Sequence, residues 1–137
     1  MAAPLDLRPL GKAIAALEAA LGRAAQAPDD DIPRDASIQR FEFTYELSYK
    51  MLKRFLEATS PSPGQIDKLA FQDLIRTGSE RDVLLNGWPR WKDYRAARSI
   101  TSHTYDEQKA REVFAVIPAF LEEARHLYKR LSEELPR

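Results

Sequence analysis

A chain of 137 residues is long enough to bury one real core and too short for two comfortable ones, so a single domain over residues 1–137 is expected. Hydrophobic residues at 44% and charged residues at 31% suit a globular protein, and the lack of cysteine excludes a disulfide framework and any Cys-based metal site. The 21 basic side chains balance the 21 acidic ones, which excludes nucleic-acid binding by bulk charge and demands a local site for any such contact.

The first ten residues lack the basic start and long apolar run of a secretory signal. Charged residues interrupt every apolar stretch before spanning length, so a cytoplasmic protein with no membrane contact is expected. From about Leu7 to Gln26, Leu10, Ile14, Leu17 and Leu21 recur at helical spacing, with Ala13, Ala16, Ala20 and Ala24 around them. Pro28 and the acidic run to Asp31 predict a surface loop after this helix.

Asp35 or Ser37 can cap a second helix, along which Ile38, Phe41, Tyr45, Ser48, Leu52 and Phe55 form one stripe. Phe43, Leu47 and Met51 make a second apolar line, so this helix is expected to be covered from two directions, within a bundle or by another subunit. It should stop before Ser60 and the prolines that follow. Ile66–Arg76 reads as a short helix with Ile66, Leu69, Ala70 and Leu74 inward and Gly78 just past its end. Glu80–Leu85 allows a further helical turn.

Asn86-Gly87 breaks the chain, and Pro89 fits the first turn of the next helix, on which Trp91, Tyr94 and Ala97 or Arg98 share a face. Trp88, Trp91 and Tyr94 could stack bases, but their helical spacing favours core or subunit contacts. The window from Trp88 to Tyr105 carries Arg90, Lys92, Arg95 and Arg98 against Asp93 alone. The last helix is expected from about Thr104 to Leu135, with Pro118 kinking it. No period-two run rich in β-branched residues appears. The expected fold class is all-α, an up-and-down antiparallel bundle of four to five helices.

Of the two histidines, His126 lies among alternating polar and apolar positions and reads as a surface or boundary residue. His103 has more chemical company. Thr104 and Glu107 have capping-box spacing, which would set His103 just outside a helix start, beside free backbone donors suited to a phosphate. On an unbroken helix Arg98 and His103 would point roughly 140° apart. They can share a ligand if the chain bends between them or if a second subunit supplies its own copy. Ser99, Thr101 and Ser102 favour a bend, because hydroxyls compete for backbone hydrogen bonds. Arginine can grip two phosphate oxygens, and histidine can move protons near neutrality. Those are the parts of a metal-free phosphodiesterase site, in which a two-fold dimer would supply both acid and base.

Arg98-Ser99-Ile100-Thr101-Ser102-His103-Thr104-Tyr105 resembles the arginine, four residues, histidine, one residue, tyrosine motif of HEPN proteins. The stretches Ile38–Lys50 and Ser102–Glu107 are similar to the prokaryotic branch known as nucleotidyltransferase substrate-binding proteins, the HepT-like toxins. The resemblance implies a helical bundle, a homodimer with the motifs facing each other, and a metal-independent ribonuclease acting on RNA. It also implies a cognate minimal nucleotidyltransferase as antitoxin. No cofactor or metal is implied for this chain, since the partner is the one that uses ATP.

On this resemblance Arg98 and His103 are the catalytic pair and Tyr105 the residue adenylylated for silencing. Ser102 or Ser99 would position the substrate. Family members commonly have Asn, Asp or His after the motif arginine, whereas Ser99 is shorter and does not ionise. Glu42 and Glu46, one turn apart, either orient Arg98, meet the partner, or sit on the surface with Glu46 pairing to Lys50. Two further readings stand beside the toxin: a non-catalytic subunit that presents a substrate or Tyr105 to a nucleotidyltransferase, and a dimerisation module whose motif buttresses the bundle.

Overall fold

The computed structural model describes residues 5–135; the other residues of the expected single domain, 1–4 and 136–137, lie outside the described residues. The fold is the expected all-helical, antiparallel up-and-down bundle. Its long helices are α1 (Arg8–Gln26), α2 (Asp31–Ala58), α5 (Trp88–Ser99) and α6 (Glu107–Glu134). Two short ones, α3 (Pro63–Asp67) and α4 (Phe71–Glu80), bridge α2 to α5. No helix is long and apolar enough to cross a membrane among the described residues.

The stripes read from the sequence are the ones that face inward. Leu10, Ile14 and Leu17 of α1 meet Ile38, Phe41, Tyr45, Leu52 and Phe55 of α2, all buried. Phe120 of α6 sits at the centre, edge-on to Phe41 at 5.1 Å and to Tyr94 at 5.3 Å, the geometry the ring quadrupoles prefer. Trp91 and Tyr94 are fully buried and Trp88 packs edge-on against Phe71, so these aromatics form core. The second line of α2 is covered unevenly: Met51 is buried, Leu47 half-buried, and Phe43 55% exposed.

Several boundaries differ from the sequence reading. Helix α2 is capped by Asp30, whose carboxylate accepts from the Ile32 amide at 3.0 Å, and not by Asp35 or Ser37. Pro33 is tolerated in the first turn because amides there have no intrahelical acceptor. Ser37 lies inside the helix and donates back to the Pro33 carbonyl. The single helix expected over 66–76 is two, because Ala70 is extended (φ −64°, ψ 155°) and starts α4 afresh.

Burial shifts with that break, from Ala70, which is exposed, to Leu74 and Ile75. Gly78 is not past the end of the helix but inside α4. A Cβ there would meet Leu52 Cδ1 at 3.0 Å, so glycine permits the close approach to α2. Glu80 closes α4, and residues 81–85 form a turn with Asp82 in the left-handed region (φ 59°), in place of the further helical turn expected over 80–85. Helix α6 stays helical through Pro118.

Candidate functional site

The bend between Arg98 and His103 is built by hydroxyls. Helix α5 ends where Ser99 Oγ donates to the Ala96 carbonyl at 2.7 Å and Thr101 Oγ1 to the Arg98 carbonyl at 2.9 Å. These take acceptors that a continuing helix would use. The chain then makes one 3₁₀ turn, Thr101–His103, closed by the His103 amide on the Ile100 carbonyl.

The Arg98 guanidinium is held from three sides. Its Nε donates to Glu46 Oε1 at 3.0 Å, its Nη2 lies 3.4 Å from Glu42 Oε1, and its Nη1 donates to Thr101 Oγ1 at 3.2 Å. Of the readings open for Glu42 and Glu46, the geometry is that of orienting Arg98; no Glu46–Lys50 ion pair forms among the described residues. With one cation between two carboxylates, the cluster carries a net negative charge when the carboxylates are ionised.

Thr101, which is buried, was not among the residues the sequence singled out for the site. Its signal is a hydroxyl three residues past the arginine, able to serve the Arg98 carbonyl and guanidinium at once. The basic window around it is partly used up, since Arg95 also stacks 5.0 Å over the Phe71 ring.

His103 and Tyr105 face solvent. Tyr105 is 85% exposed, and its ring lies edge-on to the His103 imidazole with centroids 6.1 Å apart. Ser99 and Ser102 are exposed as well, though the Ser99 hydroxyl is spent on the backbone. Arg98 and His103 share no hydrogen bond. Among the described residues no cluster of three His, Cys, Asp or Glu side chains gathers as metal ligands.

The expected phosphate seat at the helix start is not there. Helix α6 begins at Glu107, not Thr104, and its cap is Asp106, whose Oδ1 accepts from the Gln108 and Lys109 amides at 2.9 and 3.3 Å. Thr104 instead donates to the Thr101 carbonyl. Glu107, rather than returning to a capping box, binds Arg34 of α2 at 2.6 Å, which holds its carboxyl below the usual range. A carboxylate already occupies the amides that an anion would need.

The sequence reading also missed Glu123, which is fully buried. Its carboxylate accepts from the Leu85 amide at 2.7 Å and from the Asn86 amide and side-chain amide at 3.1 Å each, fixing the chain that leads into α5. Burial pushes its pKa up despite those donors. The available signal was its position, three residues after Phe120 and four before Leu127, on the inward stripe of α6.

The family described as nucleotidyltransferase substrate binding protein like matches residues 5–133. A Haemophilus influenzae protein named "Probable ribonuclease HepT" is 42% identical over 97 residues, covering 71% of this chain and 66% of that relative, just under two thirds of its length. A solved Haemophilus influenzae structure, described as the fold of a substrate binding domain of a nucleotidyltransferase, superposes with a TM-score of 0.86 at 33% identity. That match covers 93% of this chain and 99% of the other.

Proposed function

The chain belongs to the nucleotidyltransferase substrate binding protein family, and on that premise we propose that it is a HEPN-type ribonuclease toxin silenced by a nucleotidyltransferase that adenylylates Tyr105. The supporting observation is one bend that carries an oriented Arg98 guanidinium together with an exposed His103–Tyr105 pair. In this reading RNA is cut without metal. The 2′-oxygen of the substrate attacks the adjacent phosphorus, the bond to the 5′-oxygen breaks, and a 2′,3′-cyclic phosphate remains.

His103 of one copy takes the proton from the attacking hydroxyl, and His103 of a two-fold mate gives one to the leaving oxygen. Arg98 turns its Nη atoms to the phosphate charge, with Ser102 as a further donor. Silencing is a second transfer, run by the partner. The Tyr105 phenol oxygen attacks the α-phosphorus of ATP, pyrophosphate leaves, and the bound AMP sets bulk and negative charge beside the RNA site.

A second reading has its own support. Two carboxylates on Arg98 oppose a phosphate, and the 85% exposure of Tyr105 suits an acceptor presented to another enzyme. In that case the chain is a non-catalytic substrate-binding subunit. The test is RNA cleavage in EDTA, with intact mass measured before and after incubation with a cognate minimal nucleotidyltransferase and ATP. The toxin reading expects cleavage that falls roughly 10²–10⁴-fold in His103→Ala, and an AMP adduct that stops cleavage and is absent in Tyr105→Phe. An adduct on a wild-type protein that cuts nothing selects the subunit reading.

A further inference from the structure

A concavity of about 760 Å³ lies away from Arg98, between the end of α1, the start of α2 and the first turns of α6. Its floor is apolar, with Leu21, Ala24, Phe114, Pro118 and Leu121. Its rim carries five carboxylates against the guanidiniums of Arg34 and Arg111; both pair with Glu107, Arg34 also lies 3.6 Å from Asp31, and Glu122 is paired with Arg125, so the negative excess centres on Asp29 and Asp30. Ile32, at the same helix start, is 76% exposed. An apolar trough this open, rimmed by an excess of negative charge, has the character of an interaction surface.

The charge decides what it can take. RNA and anionic lipid would be repelled. A second copy of this chain offers its basic face on α5, but Trp91, Tyr94 and Ala97 of that helix are buried, leaving no apolar anchors to insert. What fits is an amphipathic helix from another protein, with aliphatic or aromatic anchors for the floor and Lys or Arg on its flanks.

Glu107 on the rim is two residues past Tyr105, so their Cα atoms are at most about 8 Å apart. Resting on the reading that a nucleotidyltransferase modifies Tyr105, we propose that this groove is where that enzyme docks, through a basic amphipathic helix. Docking there brings the enzyme beside the exposed phenol without covering it. The Arg34–Glu107 pair, which ties the starts of α2 and α6 together, keeps the wall of the groove in register with Tyr105.

The test uses the full chain and a cognate minimal nucleotidyltransferase. Ala25→Trp fills the groove from an exposed lining position, Asp29→Lys reverses one rim charge, and Phe43→Ser alters an exposed apolar residue of α2 outside the groove lining as a control. Calorimetry gives Kd, and ATP-dependent mass shift gives KM and kcat for Tyr105 modification. The expected result is Kd and KM at least tenfold higher in Ala25→Trp and Asp29→Lys, with kcat, melting temperature and RNA cleavage unchanged and Phe43→Ser within twofold of wild type. Wild-type binding in both groove variants, or loss confined to Phe43→Ser, overturns the groove while Tyr105 modification stands. No binding and no adduct with the wild-type chain overturns the partner reading and the groove together.

Discussion

Replacing Glu123 with alanine tests whether the buried carboxylate secures the start of α5. The substitution strands the Leu85 amide, the Asn86 amide and the Asn86 side chain, which now donate to it at 2.7, 3.1 and 3.1 Å. A hydrogen bond to a charged group contributes about 1.5–3 kcal/mol, so the gross loss is large. Removing the carboxylate also removes its desolvation penalty of several kcal/mol, and Leu85 is 50% exposed, so water reaches part of the freed chain. The net is a destabilisation of about 2–4 kcal/mol, read from the urea midpoint at constant slope. Hydrogen exchange should quicken first at the Leu85 and Asn86 amides.

Glu123→Gln keeps one acceptor and should recover about half of that loss. The sign of its pH dependence follows from burial. Because burial raises the folded pKa of Glu123 above the ordinary carboxyl value of 4.5, the folded state holds the proton more tightly than the unfolded one. The stabilisation this provides is complete below the unfolded value and is lost as pH rises through the raised one. Glutamine does not titrate, so the stability of wild type relative to Glu123→Gln should fall as pH rises from about 4 toward neutrality. A loss under 0.5 kcal/mol in the alanine variant (about the size of an ordinary surface change), or a difference that grows with pH, would refute the reasoning.

In the proposed ribonuclease reading, Glu46→Gln keeps an oxygen for Arg98 Nε while removing one negative charge, so KM for RNA should fall about fivefold, whereas Glu46→Ala frees the guanidinium and should lower kcat about tenfold. Steady-state cleavage separates the two, and identical behaviour would show that charge, not orientation, is all Glu46 contributes. Asp106→Ala should cost about 1 kcal/mol and quicken exchange at the Gln108 and Lys109 amides, with the far end of α6 unaffected. Phe120→Ala, at the centre of the aromatic cluster, should cost about 3–5 kcal/mol in denaturant unfolding.

How much of this could be read from the sequence depends on the range of each interaction. The stripes of α1, α2 and α6 were legible because burial acts on every turn, and periodicity averages over many residues. Starts and stops were less so, because each rests on a single contest. Asp29, Asp30, Asp31 and Asp35 are all chemically fit to cap α2, and only the backbone turn after Ala27 selects Asp30. The apolar spacing from Ile66 to Leu74 runs across the extended Ala70 as though nothing intervened. Gly78 looks like a helix stop in one dimension and is a helix–helix contact in three.

At the candidate site, the motif was legible because its members lie within eight residues, while the groups that act on them lie far along the chain. Glu46 is 52 residues from Arg98, and the turn spacing of Glu42 and Glu46 revealed a shared face but not what that face meets. The expectation of a phosphate at the start of α6 failed for a related reason: acidic residues there favour the dipole, and the one that won, Asp106, took the amides an anion would have used. That moves the burden of anion binding from backbone to side chains. In the proposed ribonuclease reading Arg98 has to exchange part of its hold on Glu42 or Glu46 for phosphate, and the exchange is favourable only if more positive charge arrives with the substrate or with a second copy of the motif. In the proposed toxin reading, a site arranged this way is quiet when alone.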